Sequence, residues 1–141
     1  MKKLNCILLI DDDEEDNEYH QIVINRAGVT DTIKVAENGE EALRLLKEAG
    51  EALPELIFLD INMPRMNGWE FLAEYKKLGL KKKQIIILML TTSINPADIE
   101  RAKKIEEVTG YQVKPLTTDM LGEIIESYFK NGVEEEVNQQ S

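Results

Sequence analysis

Asp60 stands directly after the apolar run Leu56-Ile57-Phe58-Leu59 and opens the stretch Asp60-Ile61-Asn62-Met63-Pro64-Arg65-Met66-Asn67-Gly68. The pair Asp11-Asp12 follows another apolar run, at 6–10. Thr91 follows a third, at 85–90, and Lys114 a short fourth, Tyr111-Gln112-Val113. Carboxylates crowded together repel one another and raise their own pKa values unless something neutralises them. A hard divalent cation does so, and Mg²⁺ takes carboxylate oxygens, a carbonyl and several waters. A hydroxyl and an ammonium add donors suited to the charged oxygens of a phosphoryl group. A carboxylate can itself be the nucleophile in phosphoryl transfer, giving an aspartyl phosphate. These residue types therefore point to Mg²⁺-assisted phosphorylation of an aspartate, provided the fold gathers them.

The elements between them supply that condition. Apolar runs at 6–10, 32–36, 56–59, 85–90 and 111–113 read as strands, with the third and fourth buried on both faces. Helical patterns follow each run, at about 15–27, 40–49, 69–78, 96–108 and 120–129. Gly28, Gly50 and Gly79 stand where three of them should stop, and Pro96 suits a first helical turn. In the first helix Ile22, Val23 and Arg26-Ala27 are expected near one face. Gly68 is expected to lend backbone freedom before the third helix. Strands alternating with helices imply a parallel sheet covered on both sides through right-handed crossovers. Five strands suit the flavodoxin-like doubly wound order 2-1-3-4-5 with five helices, in which Asp11, Asp12, Asp60, Thr91 and Lys114 all reach the carboxyl edge.

With 141 residues the chain fits one domain, expected over 4–130, followed by an acidic and disordered tail at 131–141. A net charge of −10 argues against non-specific nucleic-acid binding and suits a cation or a basic partner surface. No apolar run has the length of a membrane span, no signal-peptide layout is present, and Cys6 reads as a buried free thiol, so a cytoplasmic protein is expected. The residues Asp13, Glu14, Glu15 and Asp16 read as a solvated helix start. His20, the one histidine, is expected on a helix surface, and Lys81 to Lys83 form a solvated turn. Trp69 and Met66 are expected to pack beside the site.

Taken together, the motifs resemble the bacterial response-regulator receiver domains over about residues 4–129. The resemblance rests on Asp11-Asp12, on Leu59-Asp60-Ile61-Asn62-Met63-Pro64 with Asn67-Gly68, on Leu90-Thr91, and on Tyr111-Gln112-Val113-Lys114-Pro115. Leu90-Thr91-Thr92-Ser93 is similar to the small stand-alone receivers, including those working with phytochrome-type kinases. The resemblance implies that Asp60 accepts a phosphoryl group from a sensor histidine kinase or a phosphotransfer protein. It implies Mg²⁺ bound by Asp12 and Asp60, by the backbone carbonyl of Asn62, and by Asp11 mostly through water. Lys114 would pair with Asp60 or its phosphate, with a cis bond to Pro115. Thr91 would hydrogen-bond the phosphoryl group, and Tyr111 would be the aromatic switch. Lys114 lies 23 residues after Thr91 and 22 after Thr92, so Thr92 competes for the switch role. Thr91 is favoured, because the helix start at Pro96 then aligns and the extra residue falls near 106–110.

With no output domain expected after residue 129, output would be contact with a downstream protein, and a homodimer formed on phosphorylation stays open. Two other classes compete. A Mg²⁺-dependent aspartyl-phosphate phosphohydrolase wants a second acid two residues past the nucleophile, where Asn62 stands. A flavodoxin-like cofactor carrier wants a phosphate-cradling first loop, where Asp11-Asp12-Asp13 repel phosphate.

Overall fold

The computed structural model describes residues 3–80 and 85–130. The lysine turn and the acidic tail expected from the sequence lie outside the described residues. The strands are β1 (Ile7–Ile10), β2 (Ile33–Ala36), β3 (Leu56–Leu59), β4 (Ile86–Thr91) and β5 (Val108–Val113). The helices are α1 (Glu14–Ala27), α2 (Gly39–Glu48), α3 (Gly68–Lys77), α4 (Pro96–Lys103) and α5 (Thr118–Ile125). All pairings are parallel, and the sheet order is β2-β1-β3-β4-β5, as expected.

Helices cover both sheet faces, so β1 and β3 are buried at every position and carry no polar residue. Alternation along each strand then sorts the side chains into two cores. Leu8, Ile10, Ile57, Leu59, Ile87 and Met89 belong to the core with Ala42 and Leu46 of α2 and Phe71, Leu72 and Tyr75 of α3. Ile7, Leu9, Leu56, Phe58, Leu88 and Leu90 belong to the other, with Val23 and Ile24 of α1 and Leu121, Ile124 and Ile125 of α5. Each such side chain contributes roughly 1.5–3 kcal/mol on burial, which sets the strand register firmly.

Three expectations change. Ile22 is 53% exposed, and Val23 with Ile24 makes the buried pair, because the inner face of α1 nearer its start belongs to Asn17 and His20. Helix α4 ends at Lys103, not near residue 108, and β5 starts early at Val108, where it completes the ladder against Ile87. The α-helical part of α5 stops at Ile125, and a π-helical turn spans Glu126–Lys130. Within β5 the register slips by one: Ile87 faces Val108 but Leu88 faces Gly110, so Thr109 is a bulge residue. That bulge lies in the 106–110 window, between Thr91 and Lys114.

Gly28 closes α1 in the left-handed conformation at φ 66°, its N–H on the carbonyls of Ile24 and Asn25. Gly68 has a different reason from the expected one. It sits in ordinary helical backbone, with Asn67 as a capping box partner of Glu70, and its N–H donates to the Ile61 carbonyl at 2.8 Å. A Cβ there would meet the Asp60 carbonyl oxygen at 2.5 Å and the Ile61 Cα at 3.0 Å. The bare Cα is what lets α3 start against the strand that presents Asp60. Gly68→Ala is expected to cost about 2 kcal/mol in urea unfolding, because backbone and not a flexible side chain must yield. A change under about 0.5 kcal/mol would contradict the close-approach argument.

Candidate functional site

The site is built where β1, β3, β4 and β5 end. Parallel pairing sets Ile10 beside Leu59 and Leu59 beside Met89, so Asp11 and Asp60 leave adjacent strands side by side. The backbone fixes both: Asp60 N–H donates to the Ile10 carbonyl and Asp11 N–H to the Ala36 carbonyl, each at 2.9 Å. Thr91 pairs with Val113, is fully buried, and accepts the Lys114 N–H at its carbonyl, 2.9 Å away. Lys114 therefore arrives at the same edge, and the Lys114-Pro115 bond is cis, as the family resemblance implies. Thr92, the competitor, is exposed and lies one residue past β4.

Carboxylate oxygens of Asp11, Asp12 and Asp60 lie within 4.8 Å of one another, Asp12 exposed and the other two buried. Lys114 Nζ donates to Asp11 Oδ2 at 2.6 Å, to Asp16 Oδ2 at 2.8 Å and to Asp60 Oδ2 at 3.3 Å. The remaining oxygens are held by local backbone: Asp13 N–H donates to Asp11 Oδ1 at 3.0 Å, and Ile61 N–H to Asp60 Oδ1 at 2.8 Å. Three carboxylates, those of Asp11, Asp16 and Asp60, thus share one ammonium, and that of Asp12 lies close to Asp11 and Asp60. Burial pushes the Asp11 carboxyl up to about 6, and the neighbouring charge of Asp60 adds to the rise that Lys114 and the Asp13 N–H oppose. Burial works against the Lys114 ammonium too, yet its acidic partners outweigh it, and its pKa stands above the ordinary lysine value. The cation is over-served and the anions are under-served. Hard oxygen donors with excess negative charge fit Mg²⁺, and Asn62 is exposed just beyond Asp60.

Tyr111 is half-buried, its hydroxyl donating to the Ser93 carbonyl at 2.8 Å. Ser93 N–H points at Thr91 Oγ1 over 3.4 Å, and Ser93 Oγ donates to Asp98 of α4 at 2.6 Å. Thr91, the loop after it, α4 and Tyr111 thus form one connected set. Trp69 packs at the start of α3 with the Arg101 guanidinium over its ring at 4.5 Å, and Met66 is likewise half-buried.

Two residues read as solvent-facing make contacts toward the site. Asp16 reaches Lys114, and His20 is 2% exposed, its Nε2 accepting the Leu116 N–H at 3.3 Å. Asn17, also buried, donates from Nδ2 to the Asp11 carbonyl at 2.8 Å. Burial lowers the His20 pKa, and the Lys114 charge lowers it further, so the ring stays neutral and can accept that bond. The overlooked signal is the cap. Asp13 accepts Asp16 N–H at 3.1 Å and starts α1 directly after β1, which turns residues 16, 17 and 20 back toward the strand ends.

Residues 7–126 match the family model described as a response regulator receiver domain. A two-component response regulator from Cytophaga hutchinsonii superposes with TM-score 0.81 at 31% identity, covering 89% of this chain and 97% of the other. Response regulator Rcp1 of Synechocystis is 34% identical over 97 residues, 66% of this chain and 65% of its own length. A crystal structure of the Mn²⁺-bound form of Rcp1 gives TM-score 0.69 and covers 89% and 94% of the two chains. The bacteriophytochrome response regulator AtBRR gives TM-score 0.71 at 27% identity over 88% of this chain and 91% of that one.

The Asp11 carboxyl gives a signed pH dependence. Its folded value of about 6 lies above the ordinary 3.8, so the folded chain holds this proton more tightly than the unfolded chain. Stability from this group is present below about pH 3.8 and lost as pH rises toward 6. Without divalent cations, Asp11→Asn should therefore gain on wild type by roughly 1–3 kcal/mol between pH 4 and pH 7 in denaturant unfolding. An unchanged difference across that range would contradict the assignment.

Proposed function

The chain belongs to the response regulator receiver family, and from that premise we propose that Asp60 is the aspartate that takes a phosphoryl group from a histidine kinase or phosphotransfer partner. The chain is a response regulator of a phosphorelay, a signalling protein. The observation that carries the residue assignment is the position of Asp60 between the Asp11 and Asp12 carboxylates and the Lys114 ammonium. Asp60 Oδ1 is tied to the Ile61 N–H, which fixes the carboxylate plane at the sheet edge.

In the proposed transfer an Asp60 carboxylate oxygen attacks the phosphorus of the partner's phosphohistidine. The new O–P bond forms as the P–N bond breaks, and the imidazole leaves with the bonding pair. Lys114, already within reach of Asp60, pairs with the phosphoryl oxygens, and the Thr91 hydroxyl donates to them. Mg²⁺ would be held by Asp11, Asp12, Asp60 and the Asn62 carbonyl, and would supply charge that offsets the carboxylates and the incoming phosphoryl group. The Mn²⁺ reported for Rcp1 supports a divalent cation here. Drawing the Thr91 hydroxyl toward a phosphoryl group would loosen its contact with Ser93 N–H, and the Tyr111 hydroxyl on the Ser93 carbonyl would respond. The signal would leave through the β4–α4 loop and α4 to a downstream protein.

A small phosphodonor with Mg²⁺ should add one phosphoryl mass to the wild type. The same treatment should add none to Asp60→Ala, and chelation should abolish the gain. Equal gain by both proteins, or gain by neither, would overturn the assignment.

A further inference from the structure

Lys114 has a partner that the phosphoacceptor reading does not use. Its Nζ lies 2.8 Å from Asp16 Oδ2 but 3.3 Å from Asp60 Oδ2. At 2.8 Å a charge-assisted bond is close to its best length, whereas at 3.3 Å it is well stretched. The Lys114 side chain is 8% exposed and that of Asp16 38%, so Asp16 lies on the solvent side of the ammonium. Asp16 is held in the first turn of α1 by its own N–H on the Asp13 carboxylate. It is outside the set of Asp11, Asp12 and Asp60 oxygens that could share a cation.

We propose that Asp16 is a positioning residue that restrains phosphoryl uptake at Asp60 by offering Lys114 a competing carboxylate. The proposal rests on Asp60 being the phosphoacceptor. In the resting chain the ammonium is drawn toward α1. A phosphoryl group on Asp60 needs that ammonium, so part of the contact with Asp16 is given up on transfer. Because Asp16 does not belong to the cation-binding set, its competition persists whether or not a divalent ion is bound. Removing the Asp16 charge leaves Lys114 with Asp11 and Asp60 alone and shifts it toward the reacting carboxylate.

The test compares wild type, Asp16→Asn and Asp16→Glu by intact mass, with phosphoramidate and Mg²⁺ below saturation, and by the half-saturating concentration of beryllium fluoride as a phosphoryl stand-in. Asp16→Asn should take up phosphate about three- to tenfold faster and bind beryllium fluoride tighter by a similar factor, the size of one weakened charge-assisted contact. Asp16→Glu, which keeps the charge, should return toward wild type. The gain in beryllium fluoride binding should persist in about 0.5 M salt, where long-range repulsion of the anion is screened. An Asp16→Asn rate equal to or below wild type overturns the proposal, as does a gain that vanishes in high salt. A wild type that takes up no phosphoryl group overturns the phosphoacceptor reading itself, which separates the two failures.

Discussion

The Lys114 ammonium is shared among Asp11, Asp16 and Asp60, with Asp12 close by, and its single charge is the only balance this edge supplies among the described residues. Repulsion among carboxylates within 4.8 Å does not relax by side-chain movement alone, since Asp11 and Asp60 are both buried and both tied to backbone N–H groups. Burial raises the Asp11 pKa and the Asp60 charge adds to the rise, against the pull of Lys114 and the Asp13 N–H. Such an arrangement favours a divalent cation, and it makes the ammonium's position matter. Whatever changes the charge on Asp60 must redistribute Lys114 among its partners.

The rest of the fold serves to keep that edge in place. Two apolar cores lock the register of β1, β3 and β4, so that residues after the strands arrive in fixed relation. Gly68 lets α3 begin against the Asp60 carbonyl. His20 ties α1 to Leu116, two residues past Lys114, and so braces the segment that carries the ammonium. From the same edge the Thr91, Ser93, Asp98 and Tyr111 hydrogen bonds run outward into α4. These bonds tie the end of β4 at Thr91 to α4 and to Tyr111 of β5.

Much of this was legible before any coordinates. Apolar runs that each end in a chemically capable residue, alternating with helical periodicity, dictate a parallel sheet whose carboxyl edge carries Asp11, Asp60, Thr91 and Lys114. The bulge at Thr109 was not legible, since its only local cue is the neighbouring Gly110. The early start of β5 was hidden, although Val108 and Thr109 favour strands, because Gly110 interrupts the run and the helical reading from Pro96 extends to Val108. The contact of Asp16 and the burial of His20 were missed for a related reason. Their partners Lys114 and Leu116 lie 98 and 96 residues away, and only the packed sheet brings them to α1. Polar residues on an inner helix face look like surface until the opposing group is known.

The central claim is that this edge makes Asp60, and no other acid, the phosphorylated group, and that it does so only with a divalent cation. Borohydride reduction of the acyl phosphate formed with a small phosphodonor, followed by peptide mass mapping, reads the modified position directly. The account predicts homoserine at position 60 in the presence of Mg²⁺ and none after chelation. Homoserine at Asp11, Asp12 or Asp16, or equal labelling without the metal, would contradict it.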